Sequence, residues 1–145
     1  MKPICVQAGE KTYEVVVGSR LLDQAGALIA ETLGGPACAV ISDENVAALF
    51  AGKVLASLKA AGRQPTLITV PAGEKSKTME RAEAICQRMI EAGLDRSSFV
   101  VALGGGMVGD LTGFVAAIYH RGIPCVQIPT TPLAQVDSSI GGKTA

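Results

Sequence analysis

The stretch FVVALGGGMVGDLTGF, residues 99–114, holds the residues whose types and spacing point most directly to chemistry. Residues 104, 106 and 109 match the pattern G-x-G-x-x-G, which follows a strand and opens a helix in dinucleotide-binding proteins. Because glycine has no Cβ atom, the backbone amides of such a turn can approach the oxygens of a pyrophosphate, and the helix N-terminus favours the negative charge. The pattern therefore predicts a phosphate-binding turn. A tight strand-to-helix connection is the alternative explanation for the same glycines.

A dinucleotide site also needs an acidic residue for a ribose, usually about 20 residues after the glycines, at the end of the next strand. That place is occupied by Pro129, Thr130 and Thr131, which carry no carboxylate. Asp43, at the end of an earlier predicted strand, could accept hydrogen bonds from the hydroxyls of an adenosine ribose, or cap the helix that follows it. The two roles are compatible. The sequence thus predicts a dinucleotide site of unusual order, with the glycine turn on a later strand.

Further polar residues follow the predicted strand ends. Asp110 would repel a pyrophosphate, so we expect it to accept a hydrogen bond from a ribose or from the nicotinamide amide. Glu74 and Lys77 offer an acceptor and a cation on the neighbouring loop, although a solvated loop has the same composition. The hydroxyls of Thr130 and Thr131 could donate to the same ligand, or belong to an ordinary strand end. All of these residues would share one edge of the sheet.

The final stretch, QVDSSIGGKTA, contains a Gly-Gly-Lys-Thr string that invites comparison with the phosphate-binding loop of ATPases. The pattern G-x-x-x-x-G-K-[ST] is not met, because its first glycine is missing. An ATPase is therefore disfavoured. A flexible loop that presents Asp137, serine hydroxyls and Lys143 suits contact with a phosphorylated polyol better.

These candidate residues depend on a repeating pattern of strands and helices. The opening segment ICVQAGEKTYEVVVG alternates apolar and polar residues around Gly9 and predicts a β-hairpin. From Ala37, short apolar runs alternate with segments of helical periodicity at the spacing of βαβ units. The expected fold class is α/β, with one Rossmann-like three-layer domain over residues 1–145, a mostly parallel sheet and an N-terminal β-hairpin. The predicted strands are 37–42, 65–71, 98–103 and 124–129, and the predicted helices are 46–62, 78–93 and 111–120.

Composition excludes several other classes of protein. The 145 residues carry a formal net charge of zero and no dense basic cluster, so no nucleic-acid partner is expected. No apolar run approaches the ~20 residues of a membrane-spanning helix, and the N-terminus lacks the apolar core of a signal peptide. A soluble, cytoplasmic protein without a membrane partner is therefore expected. The four cysteines lie far apart and only His120 accompanies them, so no metal site is predicted and the thiols are expected to be reduced.

Three long segments carry a resemblance to a known family: PAGEKSK, GGGMVGDLTGFVAAIYHRG and PTTPLAQVDSSIGGKTA. Together with SDENV and the opening hairpin, they resemble the N-terminal, NAD-binding half of 3-dehydroquinate synthases over essentially the whole chain. Members of that family are much longer, and a C-terminal helical domain supplies the ligands of a zinc or cobalt ion. The resemblance implies an NAD-dependent, phosphate-eliminating lyase of the shikimate pathway and aromatic amino acid biosynthesis. Its substrate would be a phosphorylated sugar acid, 3-deoxy-D-arabino-heptulosonate 7-phosphate, and the full-length enzyme would be a homodimer.

The resemblance also implies roles for individual residues. The substrate would be gripped by Asp137 and Lys143, and Arg121 would reach its phosphate across a dimer interface. Without the family context, Arg121 is more simply a cation at a helix C-terminus. NAD would be held by residues near the strand ends: Asp43, Asn45, Gly73, Glu74, Lys77, Gly105, Gly106, Met107, Val108, Gly109, Asp110, Thr130, Thr131, Ser138 and Lys143.

Two features depart from the family pattern. Pro132 follows the two threonines where the family usually has an apolar residue such as leucine. The sequence also ends at Ala145, before a further cofactor-site lysine and asparagine and before the metal ligands, which His120 does not match. The C-terminal metal-binding domain is therefore expected to be absent from this chain, and the chain alone is expected to be inactive. Alternative interpretations are another sugar-phosphate cyclase, such as a 2-deoxy-scyllo-inosose synthase, a metal-dependent polyol dehydrogenase, or a bare nucleotide-binding module.

Overall fold

The first element of the protein is the predicted β-hairpin. The computed structural model describes residues 3–142 and 144. Within them, β1 (Ile4–Ala8) pairs antiparallel with β2 (Lys11–Val15). Gly9 turns the chain between the two strands with a φ of +63°, a backbone conformation that glycine adopts at little steric cost. The predicted hairpin is confirmed.

A four-stranded parallel sheet forms the centre of the molecule. It consists of β3 (Ala37–Asp43), β4 (Gln64–Val70), β5 (Phe99–Gly104) and β6 (Cys125–Pro129), in the spatial order β4-β3-β5-β6. Every residue of β5 is buried, as is every residue of β3 beyond its first. Short, continuous apolar runs are typical of parallel strands that are covered on both faces. The four predicted strands are thus confirmed to within about one residue at each end.

Helices cover both faces of this sheet, and none of those described in residues 3–142 and 144 is long and apolar enough to cross a membrane. The helices are α1 (Leu21–Thr32), α2 (Glu44–Val46), α3 (Gly52–Ala60), α4 (Met79–Glu91) and α5 (Gly106–Ile118), with a π-helical turn, Ala47–Ala51, joining α2 to α3.

Alternate residues of the central strands point into two separate cores. Val40 and Val101 pack with α1 and α3 on one face, whereas Ile41 and Val100 pack with α4 and α5 on the other. This alternation follows from the two-residue period of a strand. The predicted Rossmann-like fold, with three layers and a parallel sheet, is confirmed.

The order of the strands creates a switch point between β3 and β5. The chain leaves β3 to one side to form β4, then crosses back to form β5 on the other side of β3. Because the connections after β3 and β5 leave in opposite directions, a crevice opens between them at the carboxyl edge of the sheet. Ser42 ties the two strand ends together, since its buried hydroxyl donates to the Leu103 carbonyl at 2.7 Å.

Three parts of the structure differ from the sequence prediction. Helix α1 is not among the predicted elements, and Gly26 near its middle weakens its intrinsic helix propensity. Helix α5 begins at Gly106, five residues before the predicted start at 111, so Asp110 lies in its second turn. The expected flexible loop near the end contains a π-helical turn, Ala134–Ser138. In each case packing against the sheet or its helices decides the conformation.

The cysteines of the protein are free thiols in different surroundings. Cys5 on the hairpin is exposed, whereas Cys38 in β3 is buried. Burial raises the pKa of the Cys38 thiol to about 11, against a smaller opposing effect of the Arg63 charge. Burial likewise raises the pKa of Cys125 to about 12. Both thiols are therefore neutral at physiological pH.

We expect the free energy of unfolding to fall as the pH rises above about 9. Exposed thiols ionise near pH 8.5 in an unfolded chain, whereas Cys38 and Cys125 stay protonated in the folded one. This contribution is fully present below the unfolded pKa and is lost as the pH rises towards the folded values. Urea unfolding between about pH 7.5 and 10.5 measures the slope. Cys38→Ala should flatten it and Cys5→Ala should not; equal slopes in both variants would contradict the assignment.

Helix α1 approaches α3 most closely at Gly26. The Gly26 amide donates to Ser57 Oγ at 2.9 Å, and the Ser57 hydroxyl donates to the Asp23 carbonyl at 3.0 Å. A Cβ atom on Gly26 would collide with the backbone carbonyl of Ser57. Only glycine permits this crossing without moving one of the helices.

Replacing Gly26 by alanine should therefore destabilise the protein, by about 1–3 kcal/mol, because the added methyl group meets backbone atoms. Gly52→Ala is the matched control, since Gly52 is a helical residue with open space around its Cα and a φ of −55°. That substitution should be neutral or stabilise by about 0.5–1 kcal/mol. Urea unfolding of both variants measures the difference, and a similar effect at the two positions would exclude the close approach.

Candidate functional site

The crevice at the switch point brings together the two strand ends on which the predicted site depends. Ser42 in β3 pairs with Leu103 in β5, so the next residues, Asp43 and Gly104, stand side by side where the strands end. The acid proposed for a ribose and the glycine turn proposed for a pyrophosphate thus occupy opposite walls of one crevice. This is the position at which doubly wound sheets bind ligands.

Asp43 caps the helical segment that follows it. Its Oδ1 atom accepts hydrogen bonds from the amides of Asn45 and Val46, each at 3.0 Å. Asp43 is only 8% exposed, whereas the Asn45 side chain is exposed beside it. The helix-capping role expected for Asp43 is confirmed, and both capping bonds use one carboxylate oxygen. Its role towards a ribose stays a prediction, as does that of Asn45.

At the start of α5, the first backbone amides of the glycine turn have no hydrogen-bond partner among residues 3–142 and 144. Gly105 is the N-cap, and no side chain caps this end of the helix. The amides of Gly106, Met107 and Val108 occupy the first turn, where no carbonyl of the helix can accept from them. The amide of Gly109 is already used, since it donates to the Gly105 carbonyl at 3.0 Å. Three successive amides therefore form the anion-binding end of this helix.

Neighbouring side chains lie close to the glycines of the turn, so a side chain on any of them would require its neighbour to shift. A Cβ atom would lie 2.7 Å from Val108 Cγ2 if placed on Gly104, 3.2 Å from Thr131 Cγ2 if placed on Gly105, and 3.2 Å from Ser138 Oγ if placed on Gly106. Val108 is buried and Met107 packs against the core, so these two residues can offer a ligand their backbone amides only.

Lys77 joins the loop after β4 to helix α5. Its Nζ atom donates to Asp110 Oδ2 at 3.0 Å and lies 3.1 Å from Glu74 Oε1. The side chains of Lys77 and Asp110 are 25% and 23% exposed, whereas that of Glu74 is 74% exposed. The hydrogen bonds to Asp110 and then to Glu74 raise the pKa of Lys77. The predicted acceptor and cation therefore lie together, and Lys77 offsets the negative charge that Asp110 places near the glycine turn.

A small cavity lies beside this ion pair. It has a volume of about 210 Å³ and is lined by Asp110, Asp137, Ser138 and Ile140. The π-helical turn Ala134–Ser138 supplies two of these residues, which sequence reasoning placed on a flexible loop. The structure thus brings a residue predicted to bind substrate, Asp137, next to two residues predicted to bind the cofactor.

The two threonines after β6 border the glycine turn from the other side. The Thr130 amide extends the sheet by donating to the Gly104 carbonyl at 2.9 Å. The Thr130 Oγ1 atom is buried and has no hydrogen-bond partner among the described residues. Thr131 Oγ1 accepts a hydrogen bond at 3.2 Å from the amide of Ala134, the first residue of the π-helical turn.

Other predicted site residues lie apart from the crevice or outside the described part of the chain. Arg121 follows α5, which runs from the carboxyl edge of the sheet to the opposite edge, so one chain does not bring Arg121 to the glycine turn. Gly73 precedes Glu74 on the exposed loop after β4, with a φ of +101° that favours glycine. Lys143 lies outside the described residues. Among residues 3–142 and 144, no group of three or more His, Cys, Asp or Glu could hold a metal ion.

Sequence reasoning missed Gln127, which supports the glycine turn from β6. Its Nε2 atom donates to the Gly109 carbonyl at 3.2 Å, and a Cβ atom on Gly109 would lie 2.7 Å from its Oε1. The third glycine of the motif therefore makes room for Gln127. A polar residue within the otherwise apolar run CVQIP was the signal that could have revealed it.

Comparison with known proteins shows the family of the chain. Residues 67–145 match the family model described as 3-dehydroquinate synthase N-terminal. The 3-dehydroquinate synthase of Rhizobium etli is 49% identical over 139 residues, which are 96% of this chain and 37% of that protein. The chain belongs to the 3-dehydroquinate synthase family. It spans 37% of the length of this relative.

Two solved structures are similar in fold. The 2-epi-5-epi-valiolone synthase from Streptomyces hygroscopicus subsp. jinggangensis, with NAD⁺ and Zn²⁺ bound, matches with a TM-score of 0.80 and 33% identity, over 97% of this chain and 38% of that one. A 2-deoxy-scyllo-inosose synthase complexed with carbaglucose-6-phosphate, NAD⁺ and Co²⁺ matches with a TM-score of 0.85 and 23% identity, over 94% of this chain and 38% of that one. The second likeness shows the fold alone.

The contact between Lys77 and Asp110 should appear as a coupling energy. In a double-mutant cycle of Lys77→Met and Asp110→Asn, we expect about 0.5–1 kcal/mol of coupling, since both side chains are partly exposed. The coupling should weaken in high salt. Lys75→Met, an exposed lysine of the same loop, should show none with Asp110→Asn. Urea unfolding of the single and double variants measures all of these terms, and equal coupling for the two lysines would contradict the contact.

Proposed function

We propose that this chain forms the NAD-binding part of a 3-dehydroquinate synthase. The full-length enzyme would convert 3-deoxy-D-arabino-heptulosonate 7-phosphate to 3-dehydroquinate and phosphate. The observation that carries the proposal is the bare glycine turn at the switch point, where three free amides face a crevice whose other wall holds Asp43. The NAD⁺ bound to the 2-epi-5-epi-valiolone synthase, at 33% identity, supports it.

The residues of the crevice fit the parts of such a cofactor. The amides of Gly106, Met107 and Val108, at a helix start that no side chain caps, would donate to the diphosphate. Asp43 would accept hydrogen bonds from the adenosine ribose through the oxygen that does not cap its helix, with Asn45 beside it. When bound, NAD would supply a reversible hydride acceptor.

The neighbouring loops would complete the cofactor pocket. Glu74 and Lys77 would close it from the β4 side, with Gly73 giving their loop its turn. Lys77 would hold Asp110 in place and offset its charge, so that Asp110 can accept a hydrogen bond without repelling the diphosphate. The unpartnered hydroxyl of Thr130 would donate to the cofactor, while Thr131 and Ser138 border the turn.

The substrate would bind beside the cofactor, in and around the cavity that Asp137 lines. Lys143 would take part there, as the family resemblance implies. Arg121, at the opposite edge of the sheet, would serve a second chain of a homodimer rather than its own site. As the family resemblance implies, the zinc or cobalt ligands would come from a C-terminal domain of the full-length enzyme, and the chain alone would be inactive.

A related sugar-phosphate cyclase is the second candidate. The 33% identity to the 2-epi-5-epi-valiolone synthase supports it, because the same crevice would serve either reaction. The 49% identity to a 3-dehydroquinate synthase, against 33% and 23% to the two other cyclases, supports the first candidate. The substrate accepted by the full-length protein decides between them.

Calorimetric titration with NAD⁺ tests the cofactor site. We expect binding by the chain, and a loss of affinity of at least about tenfold in Gly106→Val, whose side chain would occupy the space before Ser138 Oγ. Gly34→Val is the matched control, because Gly34 has open space around it and lies before β3, at the opposite edge of the sheet. Its affinity should match that of the parent chain. Equal affinity in Gly106→Val would remove the glycine turn from the site.

Phosphate release tests whether the chain is sufficient for the reaction. With NAD⁺, Zn²⁺ or Co²⁺ and the heptulosonate phosphate, the 145-residue chain should release no phosphate above the rate without protein. The same assay on a longer relative is the positive control. Turnover by this chain would mean that its own residues complete the metal and substrate sites, contrary to the proposal.

A further inference from the structure

One hydrogen bond joins the N-terminal hairpin to the segment that follows the π-helical turn. The Gly141 amide donates to the hydroxyl oxygen of Tyr13 at 2.6 Å, across 128 positions of sequence. Tyr13 lies in β2, opposite Val6 in β1. No residue of these two strands is buried, so the hairpin has no core of its own to hold it against the molecule. The hydroxyl of Tyr13 is therefore a specific point of attachment.

The two glycines of the attached segment do not pack against neighbouring side chains. Gly141 and Gly142 have φ values of +94° and +73°, which favour glycine, and a Cβ atom on either would meet nothing within 4 Å. The turn is thus not fixed by the packing of side chains. Ile140, directly before it, lines the cavity that also contains Asp110, Asp137 and Ser138.

A second contact holds the far side of the same segment. The methyl group of Thr144 lies directly against Gly113 of α5, in space that a Cβ atom on Gly113 would need. On the near side, the Ile140 amide donates to the Asp137 carbonyl at 3.0 Å. Between these two contacts, the hydrogen bond to Tyr13 fixes the glycine pair.

We propose that Tyr13 is a positioning residue: its hydroxyl holds the turn at Gly141 and thereby sets the wall of the ligand cavity at Ile140, Ser138 and Asp137. The hairpin thus contributes to ligand binding without touching the ligand. Within this inference, the identity of the ligand rests on the proposed function, whereas the attachment of the turn rests on the hydrogen bond alone.

Removal of the hydroxyl by Tyr13→Phe tests the inference. Amide hydrogen exchange at Gly141 should become faster, because its acceptor is lost. NAD⁺ should bind about 2- to 10-fold more weakly, because Ser138, which lines this cavity and also borders the glycine turn at Gly106, is then held less firmly. The melting temperature should change little, since the hairpin buries no residue.

The chain offers a matched control in its other tyrosine. The Tyr119 hydroxyl donates to the Leu94 carbonyl at 2.7 Å in a buried position after the C-terminus of α5. Tyr119→Phe should lower the melting temperature but leave both Gly141 exchange and NAD⁺ affinity unchanged. If Tyr13 only stabilised the fold, Tyr13→Phe would, like Tyr119→Phe, lower the melting temperature and leave Gly141 exchange and NAD⁺ affinity unchanged.

The two readouts separate failure of this inference from failure of the proposed function. Unchanged Gly141 exchange in Tyr13→Phe overturns the attachment, and faster exchange with unchanged NAD⁺ affinity overturns the positioning role. If the parent chain itself does not bind NAD⁺, the proposed function fails, and the exchange measurement still decides whether Tyr13 holds the turn. Faster exchange together with weaker binding supports the whole inference.

Discussion

The reversal of strand order at β3 and β5 is the constraint on which the rest of the site depends. The connection after β3 leads to one side of the sheet and the connection after β5 leads to the other. Neither connection therefore covers the carboxyl ends of these two neighbouring strands. The buried hydrogen bond from Ser42 to the Leu103 carbonyl fixes the two strand ends relative to each other. Asp43 and the glycine turn consequently face one crevice, although they lie about 60 residues apart in the sequence.

Charges of both signs lie around this crevice. The helix N-terminus at Gly106 offers free amides and a favourable dipole, but Asp110 and Asp137 lie nearby. Lys77 reaches across from the loop after β4 and pairs with Asp110, which cancels one of these charges. The same ion pair joins the loop after β4 to helix α5. One contact thus both offsets the charge of Asp110 and restrains the loop.

Much of the fold was predictable, because hydrophobic periodicity is a local property of the chain. The apolar runs at β3, β4, β5 and β6 and the spacing between them predict a parallel sheet, and the glycine motif predicts the turn after β5. Helix α1 escaped prediction because Gly26, unfavourable in an isolated helix, is required by the crossing with α3. Gln127 and Tyr13 were missed because their roles depend on tertiary contacts: their partners, Gly109 and Gly141, are distant in sequence.

The sequence by itself determined which chemistry is present: a glycine turn without side chains, acids at strand ends, and a lysine on the loop after another strand. These are properties of residue type and local spacing, and the chain encodes them directly. Only the tertiary structure decided which of these residues meet. It joined Lys77 to Asp110, set Asp137 and Ser138 beside them, and placed Arg121 at the opposite edge of the sheet. Such meetings follow from strand order and from the direction of α5, which depend on packing over the whole domain and not on any short segment.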